Sequence, residues 1–193
     1  MNANAARAQI LEILRGPVTR GIVRTIDPEN AVTTATFATT GTIYWMRWKE
    51  GGKISTVRFA VSTASGNICI ACAKNVGTGY NAVPGERVAT TGSFACPSSG
   101  STNISVPATG ANGDHEQPLA GGSITVQAGD WVGIAADNTS AVLRGTTGSG
   151  NLATVLTAGC SYKETIASGS PAIPVKREAL TPFIGRDWLI IGV

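Results

Sequence analysis

Charged residues are scarce in this sequence of 193 residues, where they make up 14% of the chain and give a formal net charge of +3. A dedicated nucleic-acid-binding protein is expected to concentrate Lys and Arg on one face, so this balance argues against a nucleic-acid partner. Apolar residues still account for 42% of the chain. That content, with a low net charge, argues against disorder and for a folded domain with a substantial core.

Long apolar runs are also missing. No stretch approaches the roughly 20 apolar residues that a membrane-spanning helix requires. At the N-terminus, no basic region precedes a long apolar core, so the sequence does not predict a signal peptide. We therefore expect a protein that is made in a cytoplasm and has no membrane span.

Catalytic signatures are few. His115 is the single histidine and stands in the polar stretch Pro107–Leu119, which we predict to be a surface loop. The chain has no GxSxG, no GxxxxGK[ST] and no dinucleotide fingerprint. We predict no enzymatic activity, no cofactor and no metal, with a hydrolase that uses His115 as the least favoured alternative.

Acidic pairs of the kind that glycosidases use are also hard to find, because Asp and Glu total only 12. Asp130 and Asp137 flank one predicted strand and would lie about 20 Å apart at ~3.3 Å per residue. Each therefore has a turn-forming role in our interpretation, since an Asp side chain can bond back to its own backbone.

The four cysteines follow no disulfide framework. Cys69 and Cys72 form a CxxC, but within the predicted strand Asn67–Lys74. Side chains three residues apart on a strand point to opposite faces, so these thiols would not converge on one metal. The pattern favours small buried thiols over a zinc or redox site.

What the sequence does contain is glycine, 24 residues in all, between short alternating segments. In Ser123–Arg144, three short strands separated by two polar turns predict an antiparallel meander. Thr42–Glu50 predicts a strand that forms a hairpin with Ile54–Val61 through a Gly-Gly turn. About eight such strands predict an all-β fold, an antiparallel two-sheet sandwich that resembles a jelly roll.

The N-terminal part differs from the rest. Ala5–Arg15 predicts a short amphipathic helix, capped by Asn4 and ended by Gly16 and Pro17. Such a helix is marginal alone in water, so its apolar stripe must pack on the β-domain, a sister subunit or another protein. We favour a contact between chains made by Ile10, Leu11, Ile13 and Leu14.

The C-terminal part is apolar and rich in proline. Its last run is predicted either to close the sheet or to form an interface, and we assign it to the assembly interface through Trp188, Leu189, Ile190 and Ile191. The predicted organisation is thus a helix and anchoring arm at 1–30, a β-sandwich at 31–168 and a tail at 169–193.

Aromatic residues cluster on the predicted strand that carries Trp45 and Trp48. Aromatic rings stack on sugar rings, so we name Trp45, Trp48 and Tyr80 as candidate glycan contacts. Such residues are more often core or interface, because burying them removes a large apolar area from water.

Three segments together resemble small β-sandwich virion proteins of tailed bacteriophages, over roughly residues 42–164. They are Lys53–Gly66, the turn and strand Ile124–Ile134, and Asn138–Arg144, which ends a strand in Arg. The resemblance implies a structural subunit of a head, tail or fibre, often trimeric. The N-terminal helix and the apolar C-terminal tail depart from the simple module.

These observations lead to two main functional hypotheses. The first is a non-enzymatic virion structural protein, made in the host cytoplasm, that forms a homo-oligomer (a trimer is favoured) and docks on other virion proteins. The second is a carbohydrate- or receptor-binding module that contacts a host surface glycan through the loops Asn75–Gly85 and Pro107–Leu119.

Overall fold

The computed structural model describes residues 23–25, 33–96, 114–147, 161–166, 171–183 and 186–193. Over these ranges the chain forms fifteen β-strands and one 3-10 turn at Gly79–Asn81, with no α-helix. The described residues thus contain no helix with the length and apolar character of a membrane span. The predicted helix Ala5–Arg15 lies outside them. The strands are β1 (Val23–Arg24), β2 (Thr33–Thr36), β3 (Thr42–Arg47), β4 (Gly52–Ile54), β5 (Thr56–Thr63), β6 (Asn67–Val76), β7 (Val83–Ala95), β8 (Asp114–Pro118), β9 (Ile124–Val126), β10 (Trp131–Ala136), β11 (Val142–Thr147), β12 (Ser161–Thr165), β13 (Leu180–Phe183), β14 (Arg186–Trp188) and β15 (Ile191–Gly192).

The strands form two main sheets and one small one, and their pairs are antiparallel. The seven-stranded sheet has the order β1-β15-β5-β11-β14, with β2 also on β11 and β8 on β5. The six-stranded sheet has the order β13-β12-β3-β10-β6-β7, and β4 pairs with β9 alone. The all-β, antiparallel prediction is confirmed.

The main core lies between the two large sheets and draws side chains from both. In β3, Tyr44 and Met46 belong to it, whereas Ile43 and Trp45 belong to a second apolar cluster on the other side of the six-stranded sheet. This is the alternation that the sequence predicts for this strand. Both faces of β3 are therefore buried, which explains why its run of apolar residues is nearly continuous.

The predicted hairpin between Thr42–Glu50 and Ile54–Val61 is wrong. Both edges of β3 are occupied, one by β10 and the other by β12. After β3 the chain enters the short strand β4, which pairs with β9, and β5 then joins the seven-stranded sheet. A strand buried on both faces is best placed in the middle of a sheet, where distant segments can flank it.

The predicted meander in Ser123–Arg144 is also wrong, although its three strands exist. β9 pairs with β4, β10 lies between β3 and β6, and β11 joins the other large sheet. All six residues of β10 are buried. The turns at either end of this strand therefore carry the chain between sheets and do not fold it back on itself.

The stretch Pro107–Leu119 contains a strand where the sequence predicts a loop. Within this stretch, Asp114–Pro118 forms β8 and pairs with β5. In the described chain β8 pairs only with β5, at one side of the sheet. A polar segment with a terminal proline suits such a position, because solvent can satisfy the unpaired backbone groups.

Both predicted flanking regions contribute strands to the sandwich. β1 comes from the predicted arm and pairs with β15, while β13, β14 and β15 come from the predicted tail. β13 extends the six-stranded sheet, and β14 and β15 extend the seven-stranded sheet. The folded unit therefore reaches beyond the predicted boundaries at 31 and 168.

We predict that Gly133→Ala destabilises the fold. Gly133 lies opposite Trp45 across the β10–β3 ladder, and an added Cβ would lie 2.7 to 2.9 Å from three carbons of that indole ring. Since the ring is fully buried, the clash should lower the free energy of unfolding by about 1–3 kcal/mol. Urea denaturation of the full chain measures it.

The matched control for this variant is the double variant Gly133→Ala with Trp45→Leu. Without the indole ring the added methyl group has space, so its cost should largely disappear, giving a positive coupling in the double-mutant cycle. A Gly133→Ala protein as stable as the parent would show that the ring does not restrict this position.

Candidate functional site on the outer face of the six-stranded sheet

Four of the predicted interface residues lie inside this chain. Trp188 and Ile190 belong to the main core, and Leu189 and Ile191 are also buried, with at most 3% of each residue exposed. A neighbouring protein cannot contact these side chains in this conformation. The prediction is corrected in favour of its alternative, a closing strand, because β14 and β15 are hydrogen-bonded into the seven-stranded sheet.

The other predicted site residues divide into two groups. Trp45 and Trp48 are 0% and 1% exposed, so neither ring can stack on a sugar in this conformation. Tyr80 lies in the 3-10 turn, but its side chain is outside the described part. The predicted helix residues Ile10, Leu11, Ile13 and Leu14 are outside it as well and stay a prediction.

A buried polar cluster lies around Glu164 on β12. This carboxylate is 1% exposed and accepts three hydrogen bonds. Oε2 accepts from Trp45 Nε1 at 3.1 Å and from Arg177 Nη1 at 2.9 Å, and Oε1 accepts from the backbone N–H of Glu178 at 2.6 Å. A buried charge needs such partners, since burial without them is very unfavourable.

Arg177 supplies the compensating positive charge. Its guanidinium lies 4.5 Å from the centre of the Trp45 ring, in cation–π contact, and also donates to the backbone oxygen of Pro174. Burial lowers the pKa of Arg177, the Glu164 carboxylate partly offsets this, and the nearby charge of Arg87 adds to the lowering. The group still remains charged at neutral pH.

Residues 171–179 form an irregular segment, here called the strap, that crosses the second apolar cluster. Ile173 of the strap is buried in that cluster. Arg87 on β7 donates from Nη1 to the oxygen of Ile173 and from its backbone N–H to the oxygen of Val175. The strap thus covers the outer face of the six-stranded sheet, with Arg177 pairing to Glu164 beneath it.

A second polar cluster surrounds Asp130 at the start of β10. Its carboxylate, 4% exposed, accepts from Lys74 Nζ at 2.7 Å and from the backbone N–H groups of Asn75 and Gln127. Asn75 in turn accepts from Trp131 Nε1. These bonds join the turn before β10 to the end of β6, so the predicted turn role of Asp130 is confirmed.

Asp137 serves the same purpose at the other end of β10. It accepts from the backbone and side-chain nitrogens of Asn67 at 2.9 and 2.7 Å and from Asn138 Nδ2. Burial alone would raise the pKa of Asp137, but these hydrogen bonds outweigh it and lower the pKa below its ordinary value. The turn itself is closed by the next residue, Asn138, whose Oδ1 accepts from the backbone N–H groups of Ser140 and Ala141.

Cys69 and Cys72 lie on opposite faces of β6, as the sequence predicts. Cys72 is in the main core and Cys69 in the second cluster, and both thiols are free. Burial raises the pKa of the Cys72 thiol to about 12, and the nearby Trp48 side chain only partly offsets this rise. Within the described residues, no group of three His, Cys, Asp or Glu side chains could hold a metal.

Sequence reasoning missed the Glu164–Arg177 pair, although β12 carries a signal for it. Tyr162, Glu164 and Ile166 alternate with exposed residues, so the carboxylate is in phase with two apolar side chains. A charged residue at an inward position of an alternating strand predicts a buried partner. The identity of that partner, thirteen residues away on the strap, has no comparable signal.

Comparison with protein-family models, with curated proteins and with solved structures finds no match. The chemistry of the site must therefore be judged from its geometry. In the described chain, Glu164, Asp130 and Asp137 each accept several hydrogen bonds from fixed internal donors. Such saturated carboxylates join distant segments of the fold.

We predict that Glu164→Gln lowers the free energy of unfolding by about 3–5 kcal/mol, because it leaves Arg177 as an uncompensated buried charge. Gln can still accept the indole N–H of Trp45. Adding Arg177→Met should recover most of the loss, since it removes the orphaned charge. Chemical denaturation of the parent and of both variants measures these changes.

The matched control is Glu50→Gln, which breaks the ion pair of 3.0 Å with Arg24. Those two side chains are 33% and 39% exposed, so the loss should stay below about 1 kcal/mol. Equal losses of unfolding free energy for Glu50→Gln and Glu164→Gln would contradict the idea that burial makes the Glu164–Arg177 pair contribute more to stability.

We also predict that Cys72 resists iodoacetamide in the folded protein. A rise of its pKa from 9.0 to about 12 lowers the reactive thiolate fraction about a thousandfold at pH 8. Peptide mass spectrometry should find Cys72 unmodified until guanidinium unfolds the chain, whereas the half-buried Cys96 should react earlier. Equal labelling of both in the native state would contradict this.

Proposed function

We propose that this chain is a non-enzymatic structural subunit of a virion, built on a jelly roll and anchored to neighbouring chains by its N-terminal segment. The strand order carries the proposal. One sheet contains the run β2-β11-β5-β8 and the facing sheet contains β3-β10-β6-β7. Two such four-stranded runs, with the chain alternating between sheets, are typical of jelly rolls, a fold that viral capsid proteins use repeatedly.

The distribution of buried charge supports a structural role over a catalytic one. A catalytic carboxylate needs a free oxygen directed towards substrate. Both oxygens of Glu164 are engaged by Arg177, Trp45 and the backbone of Glu178. The strap also keeps this group from solvent, since Glu164 is only 1% exposed.

Self-association then depends on the predicted helix stripe of Ile10, Leu11, Ile13 and Leu14. The tail residues are internal, which leaves this stripe as the predicted contact with sister subunits, in a favoured trimer, and with other virion proteins. The described chain begins at β1, which is fixed by an ion pair from Arg24 to Glu50 and by hydrogen bonds from Thr25. An anchoring arm that precedes β1 would therefore be attached firmly to the sandwich.

The carbohydrate- or receptor-binding alternative receives no support from the described residues. Trp45 and Trp48, two of its three candidate contacts, are fully buried. Of its two loops, the second contains the strand β8.

We predict that deleting residues 1–16 leaves a folded sandwich that no longer self-associates. The deletion ends before β1, so the ladders of the two sheets should remain intact. Circular dichroism and urea denaturation test the fold, and light scattering of the purified chain tests assembly. A truncated protein that assembles like the parent would overturn the proposal for the anchoring arm.

The matched variants keep the length of the chain. Replacing Ile10, Leu11, Ile13 and Leu14 with Ser should abolish assembly, because it removes the apolar stripe. Replacing Gln9 and Glu12 with Ser should have little effect, because it lowers helix propensity slightly without removing apolar area.

A further inference from the structure

Residues 186–193, here called the inserted segment, lie between two strands that scarcely pair with each other. β5 and β11 are in direct register only at Thr63 with Val142 and at Val61 with Leu143. Beyond this point the inserted segment fills the space between them. It pairs with β11 from Gly145 to Thr147 and with β5 at Val57 and Arg58.

Backbone hydrogen bonds hold the inserted segment along its whole length. Leu189 N donates to the oxygen of Arg144, and Val193 exchanges hydrogen bonds with the backbone of Thr56. On its other side, Thr25 Oγ1 donates to the oxygen of Trp188 and accepts from Ile190 N, at 2.6 and 3.0 Å. Without this segment, strands β1, β5 and β11 would present unpaired edges to solvent.

The side chains fix the register of the segment. The Trp188 ring stacks on Phe37 at 5.1 Å and contacts Tyr44 at 5.0 Å, and its backbone N–H points at the Met46 sulfur. Ile190 enters the same core. The rest of the described sandwich therefore forms a groove with an aromatic pocket, which accepts an extended strand by β-augmentation.

We propose that this groove accepts the inserted segment of a second copy of the chain, so that subunits exchange their last strand. Each contact of the segment is the same whether the segment comes from its own chain or from another, so exchange has little intrinsic cost. The proposal rests on the self-associating structural subunit proposed above and names a second interface for it.

The connection into the segment favours this exchange. β13 ends at Phe183 in the six-stranded sheet and β14 begins at Arg186 in the other large sheet, so two residues join the layers. Packed sheets lie about 10 Å apart, and three Cα–Cα steps span at most roughly 11 Å. A connection of two residues has little conformational freedom to lose when it extends to a neighbouring chain. Short hinges of this kind promote domain swapping.

Paired single-cysteine variants test the exchange in the full chain. Thr146 and Asp187 are register partners across the β11–β14 ladder. Thr146→Cys and Asp187→Cys chains, unfolded separately, mixed, refolded together at high concentration and then oxidised, can form a 146–187 disulfide only between two chains. Non-reducing gels and mass spectrometry of the linked peptides identify that product.

The controls separate exchange from collision. Each variant alone accounts for links through the native cysteines, and Thr146→Cys mixed with the exposed Lys53→Cys accounts for random contact. We expect the 146–187 product only in the matched mixture. Self-association without that product would overturn the exchange and leave the proposed function standing, whereas a folded monomer at every concentration would overturn both.

A connection variant gives a second, independent measurement. Inserting Gly-Ser-Gly-Ser between residues 184 and 185 lets the segment return to its own groove easily, so the linked product should be lost while the fold is kept. An unchanged yield of linked product in this variant would show that the short connection does not drive exchange.

Discussion

Burial of both faces of the six-stranded sheet is the constraint on which the rest of this structure depends. Its inner face packs against the seven-stranded sheet, and its outer face carries Trp45, Trp131 and Tyr162, which the chain must also cover. The seven-stranded sheet can cover only the inner face, so the strap is needed as a third layer over the outer face. The position of the strap then determines where buried charge can occur.

The charged pair at Glu164 follows from that constraint. A strap that crosses an apolar face brings its own backbone polar groups out of water, and these must be satisfied. Glu164 accepts the N–H of Glu178, while Arg177 donates to the oxygen of Pro174 and packs on Trp45. Each of these contacts orients the strap, so the ion pair fixes the position of the strap on the sheet. Replacing only one of the two residues would leave the other as an isolated buried charge.

Local pattern predicts the strands of this fold well and their pairing badly. The alternation in β3, the opposed thiols of β6 and the turn carboxylate Asp130 depend on neighbours in sequence, and each is confirmed. The hairpin and the meander require knowledge of which distant strand occupies an edge. That choice depends on burial of both faces of β3 and β10, which no short window of sequence contains. The same reason explains why Glu164 had a detectable signal and Arg177 had none.

Few large apolar side chains are exposed among the described residues, and this restricts the surfaces through which such a chain could assemble. Val76, Val88 and Val175 are the large apolar residues most exposed among those described, and single exposed valines are ordinary on a monomer. Docking through a broad apolar face of the sandwich is therefore disfavoured. The association proposed above would instead use an element added outside the sheets, such as the predicted amphipathic arm, or an element already inside them that is exchanged between chains. The inserted segment belongs to the second kind, because its apolar area is already matched to a groove and needs no new surface. An assembly built from these two elements would keep each sandwich unchanged while joining it to its neighbours through strands and arms.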